Sequence, residues 1–122
     1  MKDEGGKNNR GLISRTREFA LRIIHLYTSL PKTTEAQVLG KQILRSGTSV
    51  GAQYREAQRA KSTPDFISKV EGALQELDET AYWLELLTGA GIVRMEKISD
   101  LMQETDELIA IFVSLAKSAK GG

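Results

Sequence analysis

Apolar side chains recur every three or four residues along most of this chain, which is the spacing of an amphipathic α-helix. The first such stretch, from about Ser14 to Leu30, ends at Pro31, because proline lacks the N–H that would continue a helix. Its apolar side chains are Phe19, Ile23, Leu26, Tyr27 and Leu30. The pattern predicts a first helix over these residues.

Capping signals predict where the second and third helices begin. Thr33 and Thr34, with Gln37 three positions after Thr34, predict a capping box and a second helix that runs to about Lys61. The segment 62–65 then predicts a new start, with a hydroxyl at the N-cap, Pro64 at the first helical position, where its missing N–H costs nothing, and an acid in the first turn facing the helix dipole.

The third helix has an apolar face and ends at a glycine-rich turn. Its apolar residues are Phe66, Val70, Ala73, Leu74, Leu77, Ala81 and Leu84. Gly89 and Gly91 predict its end, because glycine accepts the left-handed conformation of a C-cap without a Cβ penalty. A fourth periodic stretch covers residues 95–119, and no stretch alternates with the period of a strand.

Four helices, each with one apolar face, joined by short connections, predict an all-α fold, an antiparallel up-down four-helix bundle over residues 12–120. The alternative is a pair of helical hairpins that another chain completes. Residues 1–11 are polar and glycine-rich, and we predict a flexible tail there.

Composition narrows the class of protein. The 122-residue chain has no cysteine, which excludes disulfides, Cys-ligated metal sites and a thiol nucleophile. Its longest apolar run, Leu108 to Val113, is six residues, against the roughly 20 of a membrane span. Its first eleven residues contain no apolar segment of the signal-peptide type. We therefore expect a cytoplasmic protein without membrane contact.

Charge is divided between the two halves of the chain. Residues 1–62 carry twelve Lys and Arg against five Asp and Glu, and residues 63–122 carry five against eleven, so the net charges are +7 and −6. This asymmetry fits a surface for polyanions, or a subunit whose one half faces the oppositely charged half of a neighbour. An acidic row on the third helix predicts solvated or inter-subunit salt bridges: Glu71, Asp78 and Glu85.

Four cations share one side of the second helix, within an arc of about 80° at 100° per residue: Lys41, Arg45, Arg55 and Arg59. The small residues Thr48 and Ala52 lie between them. The pattern predicts nucleic-acid-binding residues, because phosphate contacts need charge and reach but no base geometry. The alternative is a solvated face with salt bridges to the acidic third helix.

Small and aromatic residues predict two kinds of packing. Gly40, Gly47 and Gly51 lie near the apolar face of the second helix, where small residues let another helix approach closely. On the third helix, side chains that project away from the apolar arc predict an oligomer interface: Tyr82, Trp83 and Leu86. The alternatives for these three are burial under another helix of the same chain and stacking on a base.

The chain offers little for catalysis. His25, the only histidine, projects opposite Ile23 and Leu26, which predicts a surface position. No Glu-x-x-His pair of a di-iron bundle occurs, no Gly-Lys-Ser/Thr phosphate loop occurs, and no predicted strand could hold a nucleophile elbow. We predict no catalytic, cofactor-binding or metal-binding residue, and therefore no enzyme.

Several segments together resemble a known bacterial family. They are residues 30–32, 40–43, 45–57, 66–69 and 73–84. They resemble the four-helix-bundle proteins named for 23S rRNA intervening sequences, over about residues 19–117. The resemblance rests on the serine-rich segment that leads into Glu56 and Ala57 and on the later Glu76-Leu77-x-Glu79.

The resemblance implies an up-down bundle, association into a ring that is five-fold in family members, no established catalytic activity, and contact with nucleic acid. Relatives include accessory proteins of diversity-generating retroelements, which act with a reverse transcriptase and carry basic surfaces. The family signature falls here on residues that the resemblance implies are structural: Gly47, Ser49, Gly51, Glu56, Ala57, Glu76, Leu77, Glu79 and Trp83.

Two functions from different classes follow. The first is a non-catalytic homo-oligomer, a pentamer by resemblance, that binds structured RNA or an RNA–DNA hybrid through phosphate contacts, as an accessory factor with a reverse transcriptase as partner. The alternative is an oligomeric adaptor whose basic half recruits an acidic protein and has no nucleic acid role.

Overall fold

The computed structural model describes residues 2–121, with side chains from residue 11 onward. Four helices follow one another: α1 (Lys2–Ser29), α2 (Thr34–Gln58), α3 (Thr63–Gly89) and α4 (Met95–Ala119). Residues 2–121 contain no strand, so the predicted all-α class is confirmed. The tail predicted over residues 1–11 lies, apart from Gly11, outside the residues whose side chains are described.

Helix α1 is already helical before the start predicted at Ser14. Leu12 is buried in the core one turn upstream of Thr16, which is also buried. The Thr16 hydroxyl donates to the Leu12 carbonyl at 2.7 Å, so this polar group is buried with a partner. A polar residue on the core face concealed the helical period in the sequence.

The beginning of α2 differs from the predicted capping box. Thr33 is the N-cap, and its hydroxyl accepts from the Ala36 amide. Gln37 does not reach back to the cap: its side chain donates to the Pro31 carbonyl at 2.8 Å and accepts from the Tyr27 hydroxyl at 3.1 Å. With Thr33 as the cap, the third helical position belongs to Ala36, which has no side chain to complete a capping box.

The connection between α2 and α3 is longer than predicted, because α2 ends earlier. Helix α2 ends at Gln58 with Arg59 as C-cap, three residues before the predicted end at Lys61. The Ser62 hydroxyl accepts from the Asp65 amide at 3.2 Å and caps α3, so the proline predicted at the first helical position stands at the second. After α3, Gly91 takes the left-handed conformation with φ of 73° and turns the chain into α4.

Helices α1 and α2 pack closely in antiparallel register through glycines. Along α2, successive glycines face earlier and earlier residues of α1: Gly40 faces Tyr27, Gly47 faces Ile23 and Gly51 faces Thr16. A Cβ atom at Gly47 would lie only 2.7 Å from Cγ1 of Ile23, so the two backbones approach at a distance that only glycine allows. The close packing predicted for these glycines is confirmed.

Helices α2 and α3 are also antiparallel and share the most extensive contact in the bundle. The buried hydroxyls of Ser46 and Thr80 meet at 2.8 Å, while Gln53 packs on Gly72 further along. The Thr80 hydroxyl donates to the Glu76 carbonyl at 2.8 Å, so Ser46 supplies the proton of the shared hydrogen bond. Each buried hydroxyl therefore has a partner, and the pair fixes how the two helices slide along each other.

The core runs along the centre of the bundle and draws on all four helices. An aromatic contact in this core joins α2 to α4, where the rings of Tyr54 and Phe112 meet edge to face with centroids 5.6 Å apart. Of the neighbouring helix pairs, α1 and α4 approach each other least closely. We call the gap between them the α1–α4 seam.

Candidate nucleic-acid interface

The four predicted cations all lie on the surface along the outward side of α2. Lys41, Arg45 and Arg55 belong to the helix itself, and Arg59 follows it as the C-cap. Because a helix rises about 1.5 Å per residue, the row extends about 27 Å from its first to its last member. All four side chains are exposed.

Arg45 is already occupied by the acidic third helix. Its Nη2 donates to Oε1 of Glu79 at 2.6 Å, and its Nη1 donates to Oε1 of Glu76 at 3.3 Å. The hydrogen bond to Glu79, aided by the charge of Glu76, raises the pKa of the Arg45 guanidinium above its ordinary value. In the single chain, Arg45 therefore follows the alternative prediction, a salt bridge to the acidic third helix. A phosphate would have to compete with two carboxylates for it.

The other three cations carry no such contact. Within residues 11–121, no ion pair or side-chain hydrogen bond involves Lys41, Arg55 or Arg59. Between them, Ala52 is exposed, and the Thr48 hydroxyl donates inward to the Leu44 carbonyl at 2.8 Å. The middle of the row is therefore low and open, with charge concentrated at both ends.

The acidic row predicted on α3 is only partly free. Glu71 forms an ion pair with Lys120 at the end of α4, with 2.7 Å between Nζ and Oε2. Asp78 and Glu85 are exposed, and neither has an ion pair with another described residue. Two of the three acids thus remain available to a neighbouring molecule.

The predicted oligomer contact is divided between the surface and the interior. Tyr82 is 52% exposed, Leu86 is half-buried, and Trp83 packs against the core. The rings of Tyr82 and Trp83 lie 5.3 Å apart, and the buried Nε1 of Trp83 has no hydrogen-bond partner among the described residues. Trp83 is partly buried within its own chain, whereas the ring of Tyr82 is exposed to solvent. The oligomer interface itself stays a prediction.

Sites of other chemistry do not assemble in the described part of the chain. His25 is exposed, as predicted, and no group of three or more His, Asp or Glu side chains there could hold a metal ion. Residues 47–51 have the Gly-x-Ser-x-Gly spacing of a nucleophile elbow, but they lie inside α2, where the Ser49 hydroxyl donates to the Arg45 carbonyl at 2.7 Å. None of the helices described is both long and apolar enough to cross a bilayer.

The sequence prediction missed the charged contacts of the α1–α4 seam. Arg15 of α1 binds two acids of α4, Glu104 and Glu107. A signal for this contact existed, because acids three residues apart on one helix face can converge on one cation of an antiparallel neighbour. Finding it required the register of the first helix against the last, which the helical period does not provide.

Comparisons with known proteins add a family and a fold. Residues 10–114 match the family model described as 23S rRNA-intervening sequence protein. The chain is similar to a crystal structure of a protein with unknown function from the S23 ribosomal protein family of Bacteroides thetaiotaomicron VPI-5482, with 40% identity and a TM-score of 0.83. That alignment covers 89% of this chain and 97% of the other. The search among curated proteins gives no significant match.

Proposed function

Because the chain belongs to the 23S rRNA-intervening sequence protein family, we propose that it is a non-catalytic, oligomeric helical bundle that binds structured RNA or an RNA–DNA hybrid. Binding uses phosphate contacts and is tolerant of base sequence. The observation that carries the proposal is that Lys41, Arg55 and Arg59 are exposed on one side of α2 without an ion pair in the described chain.

The shape of this surface suits a phosphate backbone better than a row of bases. Arg55 and Arg59 stand one helical turn apart, so both guanidinium groups can contact neighbouring phosphates. The low middle at Ala52 lets the backbone approach the helix. The one aromatic residue of α2, Tyr54, is 1% exposed, so this side of the helix provides no ring on which a base could stack.

Oligomerisation would repeat this surface. The basic half of the chain forms α1 and α2 and the acidic half forms α3 and α4, which supports head-to-tail contacts between the basic side of one subunit and the acidic side of the next. Asp78, Glu85 and the exposed ring of Tyr82 are the groups of α3 available for such a contact. A closed ring, a pentamer by resemblance, would present several weak phosphate sites to one strand. Their simultaneous contacts would give an avidity higher than the affinity of any single site. In this form the protein would act as an accessory factor beside a reverse transcriptase.

The test is the salt dependence of RNA binding. The logarithm of the affinity should fall linearly with the logarithm of salt concentration, by about 0.7 for each phosphate contacted on a single strand and about 0.9 on duplex DNA. The double variant Arg55→Gln/Arg59→Gln should flatten this slope by about 0.7 to 0.9 for each lost contact and weaken all sequences about equally. Fluorescence anisotropy with two unrelated hairpins of equal length measures both effects.

A matched control removes two exposed cations elsewhere. Arg94→Gln/Lys117→Gln lowers the net charge by the same amount, but both residues lie away from the outward side of α2. This control should leave the slope nearly unchanged. Equal losses in the two variants would mean that net charge alone drives binding, and an unchanged affinity in the α2 variant would remove this surface as the site.

The second candidate function, an adaptor for an acidic protein, rests on Arg45. Its contacts with Glu76 and Glu79 demonstrate that cations on this face pair well with carboxylates of a neighbouring helix. An acidic partner helix could engage Arg55 and Arg59 in the same way. Binding of acidic peptides by a protein that binds no RNA at low salt would favour the adaptor.

A further inference from the structure

A small groove opens between the end of α1 and the beginning of α4, at one end of the α1–α4 seam. Its volume is about 310 Å³, near the lower limit for small-molecule sites in proteins. The residues that line it are Arg22, His25, Leu26, Ser29, Val93, Lys97 and Ile98. None of these residues belongs to the cation row on α2.

The walls of this groove are basic, and they come from two helices. Arg22 and His25 belong to α1 and Lys97 belongs to α4. Within the described residues, none of the three has an ion pair or a side-chain hydrogen bond, and the groove lining includes no carboxylate. Two positive charges and an imidazole therefore line a groove that contains no negatively charged side chain.

The floor of the groove is apolar. Ile98 is 2% exposed, and Leu26 and Val93 are half-buried against the core. The Ser29 hydroxyl donates to the Leu26 carbonyl at 2.8 Å, so it has acceptor capacity but no proton left for a ligand. An occupant must therefore combine an anionic group for the walls with a less polar part for the floor.

We propose that this groove binds a phosphate monoester, with Arg22 and Lys97 contacting the phosphate oxygens from opposite walls and His25 donating a hydrogen bond. A phosphate monoester carries about −1.5 to −2 charge at neutral pH and three acceptor oxygens, which matches two cations and a third donor. A carboxylate carries a single negative charge, so it would balance only one of the two cations.

The phosphate monoester could come from two sources, a free nucleotide or the 5′-phosphate that ends a nucleic acid strand.

Arg22 also borders the adjacent groove, where Asp100 and Glu104 lie, so Lys97 is the more decisive cation. This proposal does not depend on the surface of α2, and either one can fail while the other stands.

The single histidine of the chain is a direct reporter for the experiment. Titration of the full-length protein with adenosine 5′-monophosphate should shift the His25 ring signals in NMR spectra and saturate, whereas adenosine without phosphate should not. Arg22→Gln/Lys97→Gln should weaken the affinity by roughly tenfold or more, since each charge-assisted contact contributes measurably. The helicity of this variant should be unchanged, because Arg22 and Lys97 are exposed.

The control variant is Lys61→Gln/Lys117→Gln, which removes two exposed charges that belong neither to this groove nor to the cation row on α2, and it should bind the nucleotide normally. A 5′-phosphorylated RNA hexamer that shifts His25 more strongly than its 5′-hydroxyl twin supports the strand end as the source. Equal shifts from the two hexamers, with the mononucleotide still bound, support the free nucleotide. Shifts that do not saturate in the millimolar range, or that are equal with adenosine, or that persist in Arg22→Gln/Lys97→Gln, overturn the proposal.

Discussion

Arg15 and Glu104 join the first helix to the last through a two-pronged contact, with Nε 2.7 Å from Oε2 and Nη2 2.9 Å from Oε1. The same Nη2 lies 2.7 Å from Oε1 of Glu107. The hydrogen bond to Glu104 is the main cause that raises the pKa of Arg15, so the guanidinium stays charged whenever the protein is folded. These contacts bridge the α1–α4 seam where the two helices pack least closely.

Replacing this arginine should loosen the seam. We expect Arg15→Met to lower the free energy of unfolding by about 1 kcal/mol, because the pair is bidentate but partly exposed to water. Arg17→Met is the control on the same helix, since among the described side chains Arg17 has an ion pair only with its exposed neighbour Glu18. Urea unfolding at two salt concentrations measures both, and an equal loss in the two variants would contradict the bridging role.

At Gly47, where α1 and α2 are in contact, packing and helix propensity predict opposite effects of an alanine on stability. Alanine improves an exposed helix position over glycine by up to about 1 kcal/mol. At Gly47, however, the new Cβ would lie 2.7 Å from a side-chain carbon of the fully buried Ile23. We expect Gly47→Ala to destabilise the protein by about 1–2 kcal/mol, because overpacking exceeds the gain in propensity.

Gly11 provides the matched control, because a Cβ there would meet nothing within 4 Å. Gly11→Ala should therefore stabilise the protein or leave its stability unchanged. Thermal unfolding followed by circular dichroism distinguishes the two substitutions. A more stable Gly47→Ala variant would mean that the two helices can separate without loss.

Burial of Tyr54 predicts a loss of stability in alkali. Burial raises the pKa of Tyr54 above its ordinary value of about 10. Between that value and the higher native one, the unfolded chain releases the proton and the native chain keeps it, so stability is complete below pH 10 and falls as pH rises. Tyr54→Phe should remove this contribution and flatten the fall by up to about 1.4 kcal/mol per pH unit.

The measurement is urea unfolding of both proteins between about pH 9 and 11. All other ionisable side chains are the same in both proteins, so the difference between the two slopes isolates Tyr54. Tyr82→Phe is the control, since its ring is more than half exposed. Parallel curves for the Tyr54 variant and the original protein would contradict the prediction.

Oligomer size tests the role of the exposed ring on α3. If Tyr82 lies in a subunit contact, Tyr82→Ser should lower the mass measured by light scattering while the helicity stays the same. Val113→Ser changes a similarly exposed apolar residue of α4, 46% exposed against 52% for Tyr82, and should have no such effect. Trp83→Ala would be less informative, because Trp83 packs against the core and its loss damages the subunit too.

Local signals in the sequence predicted the helices well where one residue type controls the backbone. Ser62 caps α3 and Gly91 turns the chain after it, and both roles follow from side-chain chemistry within a few residues. The capping box at Thr34 was wrong because two threonines in a row offer two caps, and only packing selects one. Thr16 concealed the upstream part of α1 because its burial depends on a hydrogen bond to its own helix.

The sequence predicted which side of α2 the cations occupy but not which of them form ion pairs. Positions on a single helix follow from 100° per residue, so the four cations of α2 share a side as expected. Whether a cation meets an acid depends on the rotation and register of two helices together. For this reason Arg45 reaches Glu79, whereas Arg55 reaches no acid among the side chains that the structure describes. No pattern within α2 separates the two arginines.

The way the four helices are joined bears on how fast the chain folds. Each helix packs mainly on the one that follows it, and the ends of the chain meet across a seam that Arg15 closes. Most native contacts therefore form between segments near in sequence, which is the condition for a low contact order. Such a chain is expected to fold in microseconds to milliseconds, with the Arg15 contact among the last to form, because it spans the longest loop.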